Sequence, residues 1–464
     1  MSPFETIFQS VLGIINEIIP LFVKYREFIL VTAIFGVFVL LIEIFKQAWL
    51  FHRRNLYRQN TEQILLEIKI PREVTQMPQA MEQFFMNIYS LRNAPGKFVE
   101  IYLDGEVSLW WSLEIVSFGG RVHFYIRTPK KYKRIVESAL YSQYPTIEVE
   151  EVKDYFEQIP ATTKEIYQKG YQIFGSELKL AKEDAYPITT YERFELSKEE
   201  MAMDPISVFV ETLAGVHKEE IVCFQILIRP AGTEWQEAGK ELIDKLAGRK
   251  KPEKKGGFGA AISEWIKNFL WAPVEPPIWG EPPKSKEEKI DFALFKLTPG
   301  EQDVIKAIEE SISKPGFDTV IRYIYYAPIA IFNWNFAIRG LVAPFNQYAS
   351  PRLNFFRNNF LVASIGRWIH FPYIMWRQRA EGRKQRILHN FRERRMPEEL
   401  TFGQFYTSHP LNFNTKSKTF ILNTAELATI FHVPTEKTLV APHVKQVESK
   451  KMGPPAGLPI FEQE

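Results

Sequence analysis

The sequence predicts an α+β protein, with N-terminal amphipathic and transmembrane helices, two ferredoxin-like (βαββαβ) units and a C-terminal helix/strand extension. Three observations predict it. An uncharged apolar run occupies 28–42. Strand and helix periods follow one another over 64–152 in the order β-α-β-β-α-β, and a similar order returns over 187–327. At 464 residues the chain is long for one hydrophobic core, so two or three domains are expected. The expected division is an anchor (1–60), a first unit (61–160), a second unit (161–327) with an insertion at 232–289, an aromatic and Arg-rich helical region (328–400), and a C-terminal docking tail (401–464).

The run FILVTAIFGVFVLLI (28–42) is followed by Ile44, Phe45, Ala48, Trp49 and Leu50. About 20 largely apolar residues cross a hydrocarbon core, so 28–48 is expected to span, with Glu43 near one interface. The run starts late and lacks a small-residue exit, which argues against a cleaved signal. Lys46, Arg53, Arg54 and Arg58 follow it, against Lys24 and Arg26 before it. Positive flanks stay inside. The expectation is therefore a single-pass protein of the inner (plasma) membrane with a cytoplasmic body. Ahead of the span, Phe4, Ile7, Val11, Ile14, Ile15, Ile18 and Phe22 share one helical face, which predicts an amphipathic helix whose place on or across the membrane the sequence leaves open.

In the first unit, strands are expected at 64–70, 98–103, 108–115, 121–127 and 146–152, with helices at 77–91 and after Pro129. Gly119-Gly120 is expected to be a tight turn. The face carrying Arg121, His123, Tyr125 and Arg127 is expected to lie under the second unit rather than open to RNA. In the second unit, ITTYERFEL (188–196), EEIVCFQILIR (219–229), FALFKLT (292–298) and FDTVIRYIYY (317–326) read as strands, with a helix over 204–215 and another after Pro299. Thr128-Pro129 and Thr298-Pro299 open the final helix of each unit, and Pro145 and Pro315 close them. The insertion predicts helices at 234–247 and 259–270 and a proline-rich spacer at 271–289.

Catalytic patterns are lacking. No glycine-rich P-loop ending in Lys-Ser/Thr occurs, no HExxH and no GxSxG. The eight histidines are dispersed and the single Cys223 forms no internal disulfide. Glu219-Glu220 and Glu309-Glu310 read as solvated ends. No cofactor, metal or enzymatic activity is expected. Net charge is only +3, so any basic site must be local. The local candidate is 377–395, with Arg377, Arg379, Arg383, Lys384, Arg386, Arg392, Arg394 and Arg395 against two glutamates. It suits phosphates of nucleic acid or lipid headgroups, and equally a solvated basic helix. NTAELATIFHVP (423–434) predicts a short helix capped by Asn423, with Glu426 closing a capping box and Pro434 beyond its end. Glu426, Leu427, Phe431 and His432 are its candidate docking residues.

Several stretches carry a resemblance: WWSLEIVSFGGRVHFYIRTPKKYKRIVESALYSQYP (110–145), ELKLAKEDAYPITTYERFE (177–195), ILIRPAGTEW (226–235), NTAELATIFHVP and VESKKMGPPAGLPI (447–460). They look like an uncharacterised bacterial membrane-protein family similar to the non-ATPase portion of type IV secretion and conjugative coupling proteins. The resemblance implies a membrane-anchored, non-catalytic scaffold or docking component. Its partners would be the lipid bilayer and a separately encoded P-loop ATPase or envelope complex. Membrane-tethered nucleic-acid binding is the second reading, and a homo-oligomer is compatible with either.

Overall fold

The computed structural model describes residues 26–71, 74, 76–192, 204–248, 297–363, 373–408, 416–435 and 446–447. The expected amphipathic helix at 4–22, the helix at 259–270, the proline-rich spacer and most of the strand at 292–298 lie outside the described residues, as do 448–464 of the tail. The chain divides into two compact units: 1–61 with 93–107 and 397–415, and 62–92 with 108–396 and 416–464.

The first unit is built on α1 (Arg26–Gln59), an unbroken helix of 34 residues, about 51 Å at 1.5 Å per residue. It is long and apolar enough to cross a membrane, and none of its most apolar stretch is buried. Its C-terminal third is different. Leu50 and Phe51 are buried, because the 93–107 segment and a short helix, Thr401–Tyr406, close around them. Phe51 meets Phe402 and Tyr406 at ring distances of 6.0 and 5.4 Å. Trp49 Nε1 donates to the Tyr102 carbonyl at 2.7 Å, and the Phe402 N–H donates to Gln47 Oε1 at 3.1 Å. Arg54 and Arg58 pair with Glu399 and Glu398. The strand expected at 98–103 is instead a π-type helical turn, Val99–Asp104, closed by Gly105 at φ +70°. A β-carbon there would come within 2.5 Å of the Arg53 backbone, so glycine satisfies both the left-handed backbone and the approach of α1.

The second unit is an α+β body around one ten-stranded sheet. Its strands are β1 (Gln63–Pro71), β2 (Trp111–Phe118), β3 (Arg121–Pro129), β4 (Glu148–Val152), β5 (Tyr171–Leu180), β6 (Ile221–Pro230), β7 (Gly316–Pro328), β8 (Phe356–Asn358), β9 (Phe420–Asn423) and β10 (Gln446–Val447). Nine strands pair antiparallel in the path β1-β3-β2-β6-β7-β5-β8, with β4 beside β1 and β9 beside β7. The two-residue β10 adds to β1 in parallel. Central strands are buried on both faces, as the run of buried positions along β2 and β6 records.

Two apolar layers cover the sheet. One face carries Leu113, Ile115, Phe124, Ile126, Phe224 and Tyr323 under α2 (Pro78–Tyr89), α3 (Lys133–Gln143), α4 (Ser207–Ala214) and α5 (Thr424–Ile430). The opposite face carries Val116, Tyr125, Cys223 and Ile324 under Tyr155, Phe156, Ile166 and the end of α6 (Trp376–Arg392), through Ile387, Leu388 and Phe391. The His123 and Tyr125 face is thus covered by 155–166 and α6. Two helices, α7 (Glu234–Leu246) and α8 (Pro299–Ser313), form a satellite core through Trp235, Leu242, Ile305 and Ile308.

Local chemistry sets several ends as expected. Thr298-Pro299 opens α8, and the structure adds a capping box there between Thr298 and Glu301. The strand expected over 188–196 is not formed where it is described: 188–190 carry no regular structure and 191–192 are helical. With β8 forming the edge, the strand beside β7 here is β5 instead. Its Gly175 lets Ile387 of α6 approach, since a β-carbon would stand 2.5 Å from that side chain.

Candidate functional site

Each of five apolar strands carries one charged or amide residue in its middle, and the register lines them up. Glu67 of β1 faces Tyr125 of β3, which faces Glu114 of β2. Glu114 faces Gln225 of β6, Gln225 faces Arg322 of β7, and Arg322 faces Glu177 of β5. The result is a polar row across six strands, all of it buried. Burying such groups is costly unless they are paired and hydrogen-bonded, and the pairing comes from the chain just beyond α6. Arg394, 1% exposed, donates from Nε to Glu114 Oε1 at 2.9 Å and from Nη2 to Oε2 at 3.1 Å. It also pairs with Asp154.

Glu114 is fully engaged. Ser112 Oγ and Gln225 Nε2 donate to its Oε1 at 2.5 and 3.3 Å, and the Tyr155 hydroxyl donates to its Oε2 at 2.7 Å. Burial alone would raise its pKa, but the Arg394 guanidinium outweighs burial and holds the carboxyl below the usual range. The same balance holds Asp154 down. Burial, then the Glu114 charge, drives the Tyr155 hydroxyl well up. At the other end Arg322 Nε donates to Glu177 Oε1 at 2.7 Å, Ser417 Oγ donates to Glu177 Oε2 at 2.7 Å, and Arg322 Nη1 donates to the Arg395 carbonyl. Arg322 Nη2 and Gln225 Oε1 have no partner among the described residues. Chemically this is a brace: Arg394 is paired with Glu114 and Asp154, and Arg322 with Glu177. Glu114 accepts from four side chains and Glu177 from two, so the hydroxyls beside them, Ser112, Tyr155 and Ser417, are spent as donors to the carboxylates.

The eight cations of 377–395 do not form one exposed patch. Only Arg377 is exposed; it lies over the Trp376 ring at 5.5 Å. Arg379, Arg386 and Arg395 are partly covered, and Arg383 is buried, with burial, then Arg379 and Arg386, lowering its pKa to about 10. Lys384 donates to the Tyr167 hydroxyl at 3.0 Å and Gln172 Oε1 at 3.3 Å. Arg392 donates to the Ile159 carbonyl and lies over Phe156. The segment, read as either a surface for phosphates or a solvated basic helix, is largely a cover for the sheet.

The expected capped helix at 423–430 is present, and the Asn423–Glu426 capping box is formed in both directions. Its assignment as a docking element is corrected. Glu426, Leu427, Phe431 and His432 are all at most 1% exposed, because α5 packs against α2 and the sheet. Glu426 accepts from the Ile188 N–H at 2.8 Å, and burial pushes its carboxyl up to about 8. His432 Nε2 lies 2.7 Å from Asp204 Oδ1, and its Nδ1 lies 2.8 Å from the Ala428 carbonyl. Glu220, expected in solvent, is 4% exposed and accepts from the Tyr325 hydroxyl at 2.5 Å. Among the described residues no group of three His, Cys, Asp or Glu side chains is placed to hold a metal ion.

The residues that matter here, Glu67, Glu114, Glu177, Gln225 and Arg322, escape a motif search. Their signal is simpler: a lone polar residue inside an apolar strand, as in WSLEIVSF and TVIRYIYY.

Against known families, a model described as a domain of unknown function, DUF8128, matches residues 51–351. That is well over half the chain. The protein belongs to the DUF8128 family. No curated protein matches it. The DUF8128 match covers the strands β1 to β7 that carry the polar row; the family description assigns them no activity.

Proposed function

We propose that this DUF8128 chain is a membrane-anchored, non-catalytic scaffold or docking component of a type IV secretion or conjugation-like apparatus, working with a separately encoded P-loop ATPase. The observation that carries the anchoring half is α1. Residues such as Phe28, Phe35, Phe38 and Phe45 are 59–72% exposed on it, a display that water disfavours and lipid tails accept. The basic residues after the run favour a cytoplasmic body at the inner membrane. The pairing of Glu114 with Arg394 and of Glu177 with Arg322 inside the sheet supports a structural role for these buried charges.

In this reading 62–152 is a ferredoxin-like unit, supported by the strand order β4-β1-β3-β2 with α2 and α3 on one face. The strands β5 to β7 with α4 and α8 are its diverged counterpart. The nucleic-acid alternative is the weaker one, since most cations of 377–395 are committed inward.

The anchoring half is tested by fractionating cells that make the full chain. It should stay in membranes through alkaline carbonate and leave with detergent. Lys306→Cys should react with an impermeant maleimide only after the inner membrane is opened. A chain that is soluble without detergent overturns the anchor. The docking half is tested by affinity purification from detergent-solubilised native membranes. Co-purification of a P-loop ATPase supports it; recovery of the chain alone overturns it.

A further inference from the structure

We propose that the first unit makes a second membrane contact: a collar of apolar side chains from the 98–103 turn and the 401–406 helix that seats in the headgroup–acyl boundary around the foot of α1. The collar rests on the reading of α1 as a membrane span.

The geometry starts from where the apolar run stops. Ile44 and Phe45 are the last of its exposed apolar residues before the grip, at 45% and 70% exposure. Immediately beyond, at Gln47, Trp49 and Phe51, the turn and the short helix take hold of α1. Both elements therefore stand at the level where α1 would leave the hydrocarbon. Each uses part of its surface for the grip and turns the rest outward. Phe98 is 68% exposed, Leu103 48%, Phe405 56% and Tyr406 72%. Phe98 stacks on Tyr102 at 4.7 Å, so the exposed ring is held in place rather than trailing. Beside it Lys97, its side chain 83% exposed, pairs with Glu100 at 3.4 Å.

Aromatic rings at the end of an apolar helix are the chemistry of the membrane interface. A bilayer also accounts for why the exposed rings gather at this end of α1. Whatever else binds the protein, a membrane crossed by 28–45 brings its headgroups to this depth. A second copy or a protein partner would need a complementary surface at the same level, and would shield these side chains from lipid.

The test uses the full chain, Cys223→Ala, with a single cysteine at Phe98, Phe405, Phe35 or Lys306. Each carries an environment-sensitive fluorophore, in vesicles of phosphatidylethanolamine and phosphatidylglycerol. Spin-labelled lipids quench either near the carbonyls or near the chain ends. Probes at 98 and 405 should shift to the blue and be quenched more by the shallow label. The probe at 35 should be quenched more by the deep label, and the probe at 306 by neither. If 98 and 405 behave like 306 while 35 is quenched, α1 spans and the collar is overturned. If 35 also escapes quenching, the anchor and the collar fall together.

Discussion

Arg394 closes a two-point fork on Glu114, Nε at 2.9 Å from Oε1 and Nη2 at 3.1 Å from Oε2, across 280 residues of sequence. Both side chains are at most 1% exposed, so the fork binds the middle of the sheet to the segment that covers it.

Removing one arm should be costly. Arg394→Ala is expected to destabilise the full chain in detergent by about 3–5 kcal/mol, the usual cost of leaving a buried charge uncompensated. The double variant Glu114→Gln with Arg394→Met should recover much of that loss, because the fully buried Glu114 charge goes with its partner and only Asp154, a third exposed, is left unpaired. Thermal and denaturant unfolding read both; equal stability of the two variants would contradict the brace.

The cations of 377–395 should divide by position. Arg377→Gln is expected to leave stability within about 0.5 kcal/mol of the parent, as exposed sites do. Arg394→Gln should not. If duplex DNA binds at all, the slope of log affinity against log salt should correspond to fewer than about three phosphate contacts. A steep slope, lost when Arg377 and Arg379 are neutralised together, would restore the nucleic-acid reading.

Glu426 should make the protein weaker as the solution becomes more alkaline. Burial raises its carboxyl to about 8 in the folded chain, against roughly 4.3 when unfolded. Between those values the folded state holds a proton that the unfolded state has released. Its contribution is therefore complete below about pH 4 and is lost as pH rises through 8, with a slope of up to about 1.4 kcal/mol per pH unit. Glu426→Gln should flatten that part of the stability profile while keeping the Ile188 contact. An unchanged profile would show that Glu426 is ionised in the fold.

Gly105→Ala should loosen the first unit. The φ of +70° and the 2.5 Å approach to the Arg53 backbone both oppose a side chain. A loss of about 1 kcal/mol or more is expected, read as faster proteolysis within 93–107. Gly96→Ala, where nothing lies within 4 Å, is the control.

What the sequence made legible was local. The helix start at Thr298-Pro299 and the capping box at Asn423–Glu426 are short-range chemistry, complete within four residues. The apolar run in α1 and the alternation in β3 are periodic and equally plain. Long-range placement was not legible. Arg394 and Arg377 look alike in a basic stretch, yet one is buried and the other exposed, because only the sheet's register brings Glu114 beneath Arg394. Strand β5 was overlooked since Gly175, where α6 approaches, interrupts its apolar pattern. The 98–103 strand failed for a related reason: six residues of suitable composition had no neighbouring strand to pair with, and wrapped around α1 instead.

The fork between Glu114 and Arg394 also bears on where the chain can be cut. The family match ends at 351, but Arg394, the Arg395 carbonyl, β9 and α5 all come later. A fragment of 51–351 would keep strands β1 to β7 and lose the counter-charge beneath them. It would also bare the stretch of β7 that β9 lines. The family match and the sheet with its cover are thus different lengths of chain, and a fragment that keeps Arg394, β9 and α5 has to reach at least residue 430.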